Sequence, residues 1–324
     1  MLAGYICETK LFRKIEEGEI KESLKKKQAI VWSQIEIAST ENISLLRDVF
    51  KIHPTTIEDV FSEQTPIKYE EFEDYKVVIF KGIQDIKGNS VETYNICFLV
   101  GENFIVTVCP NKEGTIKDLL RNEKKIENLL RKGKNYLMHH ILDKEVDKYL
   151  KLKSEQSEEL KQVEKEFMTV QSKEVLTKMY SQELDFLELR HLCESITDLC
   201  SNLMKHSENK EDNSLIPYFK DIYDHALKTT DGYESMLKRM DGMEELYATI
   251  TTMKTNEVMR SLTIITAIMM PLTVITGFYG MNVHLPFQES PLASSAILGG
   301  MFALVVLMII ISKRAGWISK KNKE

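Results

Sequence analysis

The apolar positions of this 324-residue chain change their rhythm along its length. Short runs rich in Val, Ile, Phe and Tyr occupy 4–8, 30–37, 75–83, 93–100 and 104–109, most of them bounded by Gly, Asn or Pro. Runs of that kind read as strands closed by turns. Residues 44–50 and 54–61 break in with helical spacing, the second opening on Pro54 at a helix-start position. The pattern predicts an α/β unit with one sheet over 1–134. From 116 onward strand signals stop, and apolar residues recur every three or four positions in long charged segments at 135–170 and 173–206. In the second segment these are Leu176, Met179, Leu184, Leu187, Leu192, Ile196, Leu199 and Leu203. The polar run 207–213 reads as a helix–helix turn, which makes 135–216 a helical hairpin.

After Pro217, the residues Phe219, Ile222, Ala226, Tyr233, Met236, Met240, Met243, Leu246, Ile250 and Met253 follow at gaps of three, four or seven. No proline intervenes before Pro271, so one helix is predicted from the stalk, 217–260, straight into the apolar stretch 262–278. At ~1.5 Å per residue the stalk alone is on the order of 60 Å long. A helix with so narrow an apolar seam needs partner helices, and a coiled-coil signalling stalk fits the periodicity as well as any other use does.

Two stretches of about 17 to 19 apolar residues, the second beginning near Ala293, are each long enough to cross a bilayer core of ~30 Å. This places a first span at 261–279, a loop at 280–292, a second span at 293–312 and a tail at 313–324. Lys313, Arg314, Lys320, Lys321 and Lys323 follow the second span and Lys254 and Arg260 precede the first, whereas the loop holds no Lys or Arg and one carboxylate, Glu289. Because basic residues stay on the cytoplasmic side, both termini are expected there, in a multi-pass protein of the cell (inner or plasma) membrane. Neither span lies at the N-terminus, so both read as permanent anchors rather than targeting signals.

With 28% charged residues the chain cannot be mostly membrane, and about 260 residues remain for a soluble part with its own core. A net charge of -6 gives no sign of nucleic-acid binding, and the basic tail reads as topology and lipid-headgroup contact. Cys7, Cys97, Cys109, Cys193 and Cys200 are odd in number and form no CxxC pair, so they read as reduced, buried small hydrophobes. No P-loop, GxSxG elbow or HExxH is present, so neither an enzyme nor ATP-driven transport has sequence support.

From the end of the stalk through the first span, Asn256, Met259, Leu262, Thr266, Met270, Thr273 and Gly277 succeed one another at gaps of three or four and share a helix face. Ile264, Ile265, Ile268 and Ile275 lie opposite. An uncharged stripe of mixed polarity suits either close helix packing or the wall of a pore. Two spans cannot enclose a water-filled path, so a pore requires several copies.

The segment from Lys254-Thr255-Asn256-Glu257 through Met270-Pro271-Leu272-Thr273 to Tyr279-Gly280-Met281-Asn282 resembles the stalk-to-pore region of the CorA magnesium transporters. Upstream, 217–225 and Ile52-His53-Pro54 with Ile57-Glu58-Asp59 extend the resemblance to nearly the whole chain. It implies a funnel-shaped homopentamer of an α+β/α membrane protein. Each copy has an N-terminal α/β cytosolic domain with one sheet and a helical stalk continuing into the first of two C-terminal transmembrane helices. Gly280, Met281 and Asn282 then form the selectivity filter, with Asn282 as its outer ring. The stripe from Asn256 to Gly277 lines and gates the pore.

Mg²⁺ keeps its waters and favours oxygen, so neutral Asn carbonyls can hold the hydrated ion without trapping it. Co²⁺ and Ni²⁺ share its hydrated size and charge. The resemblance further implies regulation by Mg²⁺ held between subunits at Glu58, Asp59 and Asp221, with Asp143 as a secondary position. No cofactor is implied, and Mg²⁺ enters as substrate and regulatory ligand. After the Gly-Met-Asn motif the loop departs from the family's Met-Pro-Glu-Leu run: Pro286 survives, Glu289 is left to attract cations, and His284 adds a ligand for softer metals. Pro271 is expected to kink the first span. Two alternatives are a Zn²⁺ transporter of the same fold, which would carry Ile in place of Met281, and a non-conducting membrane scaffold or sensor.

Overall fold

The computed structural model of the chain describes residues 2–315 apart from 9–10, 27–28, 88–89, 110–113, 171, 209–212 and 282–290. The chain divides into two compact units, Met1–Asp241 and Gly242–Glu324.

The first unit opens with β1 (Leu2–Cys7), β2 (Phe12–Ile15), α1 (Glu17–Ser23) and β3 (Ile30–Ile35), followed by α2 (Thr40–Ser44), which runs into a π-helical turn, Leu45–Val49. Lys51, at φ 60, ends that helical stretch in the left-handed region. Next come α3 (Pro54–Phe61), β4 (Lys68–Glu71), β5 (Tyr75–Lys87), β6 (Ser90–Gly101) and β7 (Phe104–Val108). The strands form one seven-stranded sheet in the order β2-β1-β3-β7-β6-β5-β4, in which β3 and β7 run parallel and every other pair antiparallel. The β5–β6 register shifts between Ile83 and Asp85 at a bulge.

Helices cover both faces of the central strands, which is why β7 and residues 96–100 of β6 are buried without alternation. The edge strands β2 (FRKI) and β4 (KYEE) carry charges, a way of blunting an edge against unwanted pairing. On one face Ile6, Val31, Ile35, Val77, Ile79, Leu99 and Val106 pack with Leu46, Phe50, Ile57 and Val60 into a continuous core.

Two short helices, α4 (Thr115–Leu120) and α5 (Glu123–Lys132), lead to α6 (Lys134–Thr169) and α7 (Lys173–Glu208), each of the latter 36 residues long. A 3-10 turn, Asn213–Leu215, precedes α8 (Ile216–Tyr279), 64 residues without a break. Tyr149, Phe167, Phe186, Phe219 and Tyr233 are the large buried side chains of this helical part. The Tyr233 hydroxyl donates to Gln156 Oε1 at 2.9 Å, tying α8 to α6. All five cysteines are buried and unbridged.

In the second unit, the end of α8 and a final helix, α9 (Pro291–Arg314), contain the two candidate spans, long and apolar enough to cross a membrane. Pro271 lies within α8 without ending it, and there it removes the N–H that the Ala267 carbonyl would otherwise accept.

Candidate functional site

All seven stripe residues, from Asn256 to Gly277, fall on the unbroken α8, where their spacing puts them on one face. They are exposed in the single chain, Met270 to 68%. So is Ile265 on the opposite side. A helix apolar all round and uncovered is stable in lipid or among copies of itself, not in water.

The hydroxyls on the stripe are committed to the helix: Thr266 donates to Leu262 O and Thr273 to Met269 O, each at 2.9 Å. With the proton spent inside the helix, each oxygen is left to accept from outside. Gly280 continues the helical bonding, its N–H donating to Thr276 O at 2.9 Å, and a Cβ added there would meet that carbonyl oxygen at 3.1 Å. Met281 is the last described residue of the motif and is exposed. Asn282, His284, Pro286 and Glu289, together with Lys320, Lys321 and Lys323 of the tail, lie outside the described residues.

The four candidate regulatory acids lie in the first unit. Pro54 starts α3, His53 caps it, accepting from Thr55 N at 3.4 Å, and the Tyr75 hydroxyl accepts from His53 N at 3.1 Å. That anchorage fixes Glu58, which is exposed, and Asp59, which is partly covered. Asp59 Oδ2 accepts from Lys68 Nζ at 2.7 Å, and the same ammonium reaches Glu70 Oε1 at 2.9 Å.

Asp221 is exposed on α8, with His225 Nε2 3.9 Å from its Oδ1. Asp143, on α6, joins Asp147 and His225 in a group whose ligand atoms lie within 4.8 Å of one another, the one such group of three or more among the described residues. Glu58, Asp59 and Asp221 are not part of it. Lys144 neutralises this patch in part, 2.7 Å from Asp147 and 3.6 Å from Asp143. Burial depresses His139, one turn before Asp143 and packed edge-on to Tyr218 at 5.1 Å, although the carboxylates of Asp143 and Asp221 push the other way.

Lys68, Glu70, Asp147 and His225 were not among the expected site residues. The Asp143–Asp147 and Asp221–His225 spacings of four were a legible signal for a shared helix face, whereas nothing in the sequence ties Lys68 to Asp59.

The chain matches the family described as CorA-like Mg2+ transporter protein over residues 27–314, and it belongs to that family of membrane transporters. It is 26% identical over 286 residues to the cobalt/magnesium transport protein CorA of Thermotoga maritima, covering 87% of this chain and 81% of the relative. Its fold matches the complete structure of the CorA magnesium transporter from Methanocaldococcus jannaschii with a TM-score of 0.81 at 21% identity, covering 98% of this chain and 99% of that one. The cytoplasmic domain of ZntB from Vibrio parahaemolyticus shares the fold more distantly, with a TM-score of 0.59 at 11% identity over 77% of this chain and 97% of that one.

Proposed function

We propose that this protein is a homopentameric, funnel-shaped channel for Mg²⁺, with Co²⁺ and Ni²⁺ as further permeant ions, in which the first spans of five copies line the pore. The observation that carries the reading is the stripe on α8, a helix unbroken to Tyr279, which in the sequence is followed at once by Gly280-Met281-Asn282. An Asn282 ring holds the hydrated ion through its water hydrogens. The Thr266 and Thr273 oxygens, their protons spent on helix carbonyls, accept from the same water shell. Met259, Leu262 and Met270 narrow and dry the path into a gate. Glu289 draws cations to the outer mouth.

Influx follows the electrochemical gradient, since an inside-negative potential contributes ~2.3 kcal/mol per charge per 100 mV, roughly twice that for a divalent ion. On the cytoplasmic side, Mg²⁺ bridges Glu58 and Asp59 of one copy to Asp221 of the next, with Asp143 contributing a secondary site beside Asp147 and His225. Bound ion holds the closed assembly, and depletion releases it, a ligand biasing two states through its differential affinity.

The test is Mg²⁺ influx into liposomes holding an Mg²⁺-sensing dye, under an inside-negative potential and with inner Mg²⁺ kept low. Influx is expected for the native chain and is lost on Asn282→Ala. No influx for the native chain, or equal influx in the variant, overturns the reading.

A further inference from the structure

Asp59 is already engaged by a cation that belongs to the chain. The Lys68 ammonium stands 2.7 Å from Asp59 Oδ2 and 2.9 Å from Glu70 Oε1, bridging the last turn of α3 to the edge strand β4. As residues i and i+2 of one strand, Lys68 and Glu70 face the same way.

The bridge is held from below. Thr65 Oγ1 donates to Asp59 O at 2.8 Å, and Asn95 Nδ2 donates to Ser62 O at 2.8 Å, so the connection from α3 to β4 is pinned to β6. The Lys68 side chain is 22% exposed, against 39% for Asp59 and 42% for Glu70. Lys68 is therefore the more covered partner, and the two carboxylates are the more open to solvent.

A divalent ion that binds Asp59 shares its carboxylate with this ammonium. Both cations seek the same carboxylate, and their mutual repulsion forbids full occupancy by both. Glu70 gives the displaced ammonium somewhere to go: Lys68 can yield Asp59 and stay paired, so the exchange does not strand a half-covered charge.

We propose that Lys68 is a tethered counter-cation that competes with the regulatory divalent ion for Asp59, and thereby sets the Mg²⁺ concentration at which the closed state forms. The inference rests on Asp59 being a regulatory ligand. It makes the threshold an adjustable quantity, raised by the built-in competitor above what the acids alone would give.

The experiment is calorimetric titration of the full-length protein in detergent with MgCl2, paired with the inner Mg²⁺ concentration that half-closes flux in liposomes. Lys68→Met is expected to lower both midpoints about 2- to 5-fold, the range set by a part-exposed ion pair. Lys68→Gln, which keeps a polar group at the strand edge, is expected to do the same. In an Asp59→Asn background Lys68→Met is expected to change nothing, whereas a general field effect on the other acids would persist there.

If Asp59→Asn alone leaves the Mg²⁺ titration as in the native chain, the regulatory reading of Asp59 fails. If Asp59→Asn weakens binding but both Lys68 variants leave the midpoints unchanged or raise them, that reading stands and the counter-cation inference is overturned. It is equally overturned if the shift survives in the Asp59→Asn background.

Discussion

An alanine at Gly82 would place its Cβ 2.7 Å from the Tyr94 ring and 2.8 Å from Glu145 Oε2, both well inside van der Waals contact. Neither neighbour moves away cheaply. Glu145 is fully buried and accepts from Thr115 Oγ1 at 2.6 Å, Lys148 Nζ at 2.7 Å and the Tyr94 hydroxyl at 3.2 Å. Gly82→Ala is therefore expected to destabilise the first unit by about 1–3 kcal/mol, measured as an earlier unfolding transition of the purified protein. At His139 the effect is on pH dependence. Its imidazole is depressed below the ordinary 6.5 by burial, so the folded chain resists the proton that the unfolded chain takes up. Stability from this residue is intact above that value and is lost as pH falls below it. His139→Gln should flatten the decline of the melting temperature between neutral pH and pH 5, and an unchanged decline would assign it to other groups.

Among the elements, the helical part is joined by a bidentate pair: Arg239 Nε and a terminal nitrogen reach the two oxygens of Glu164 at 2.8 and 2.5 Å, between α8 and α6. Both side chains are about one-third exposed, so a double-mutant cycle with Arg239→Met and Glu164→Gln should give a coupling of about 0.5–1 kcal/mol. The coupling should shrink in high salt, as part-exposed pairs do.

What could be read from the sequence follows the strength of each element's pattern. The interior strands β3, β5, β6 and β7 announce themselves as runs rich in Val, Ile and Phe because both faces are covered. The edge strands β2 and β4 pass unnoticed, since Phe12-Arg13-Lys14-Ile15 and Lys68-Tyr69-Glu70-Glu71 carry the charges that protect an edge. The expected helix at 44–50 is a π-helical turn continuing α2, a backbone change that side-chain spacing does not encode. The face shared by Asn256 and Thr273 was legible because a single helix fixes it. The bridge from Lys68 to Asp59 was not, because it depends on where a connecting loop sets down an edge strand.

For the whole molecule, the apolar seam of α8 sets the expectation for assembly. It is buried at Phe219, Tyr233, Met240 and Met243, and at Met253 it is 65% exposed. In the proposed pentamer, copies of the chain cover that later part of the seam. Met253→Cys is therefore expected to form disulfide-linked dimers in native membranes on mild oxidation, while Lys228→Cys, on the exposed face nearer the start of the helix, does not. Native mass measurement should give five copies, and a monomeric mass would remove the pore.

The burial of the five native cysteines also determines what a thiol reagent can see. Burial pushes Cys193 and Cys200 up to about 12, and Cys97 further still. At pH 8 a thiol of that kind is ionised in only about one molecule in ten thousand, and the thiolate is the species that reacts. Those three thiols are thus nearly silent to maleimides and nitroxide labels, and a cysteine placed on α8 would report the distances between copies of the proposed pentamer against only Cys7 and Cys109, both buried.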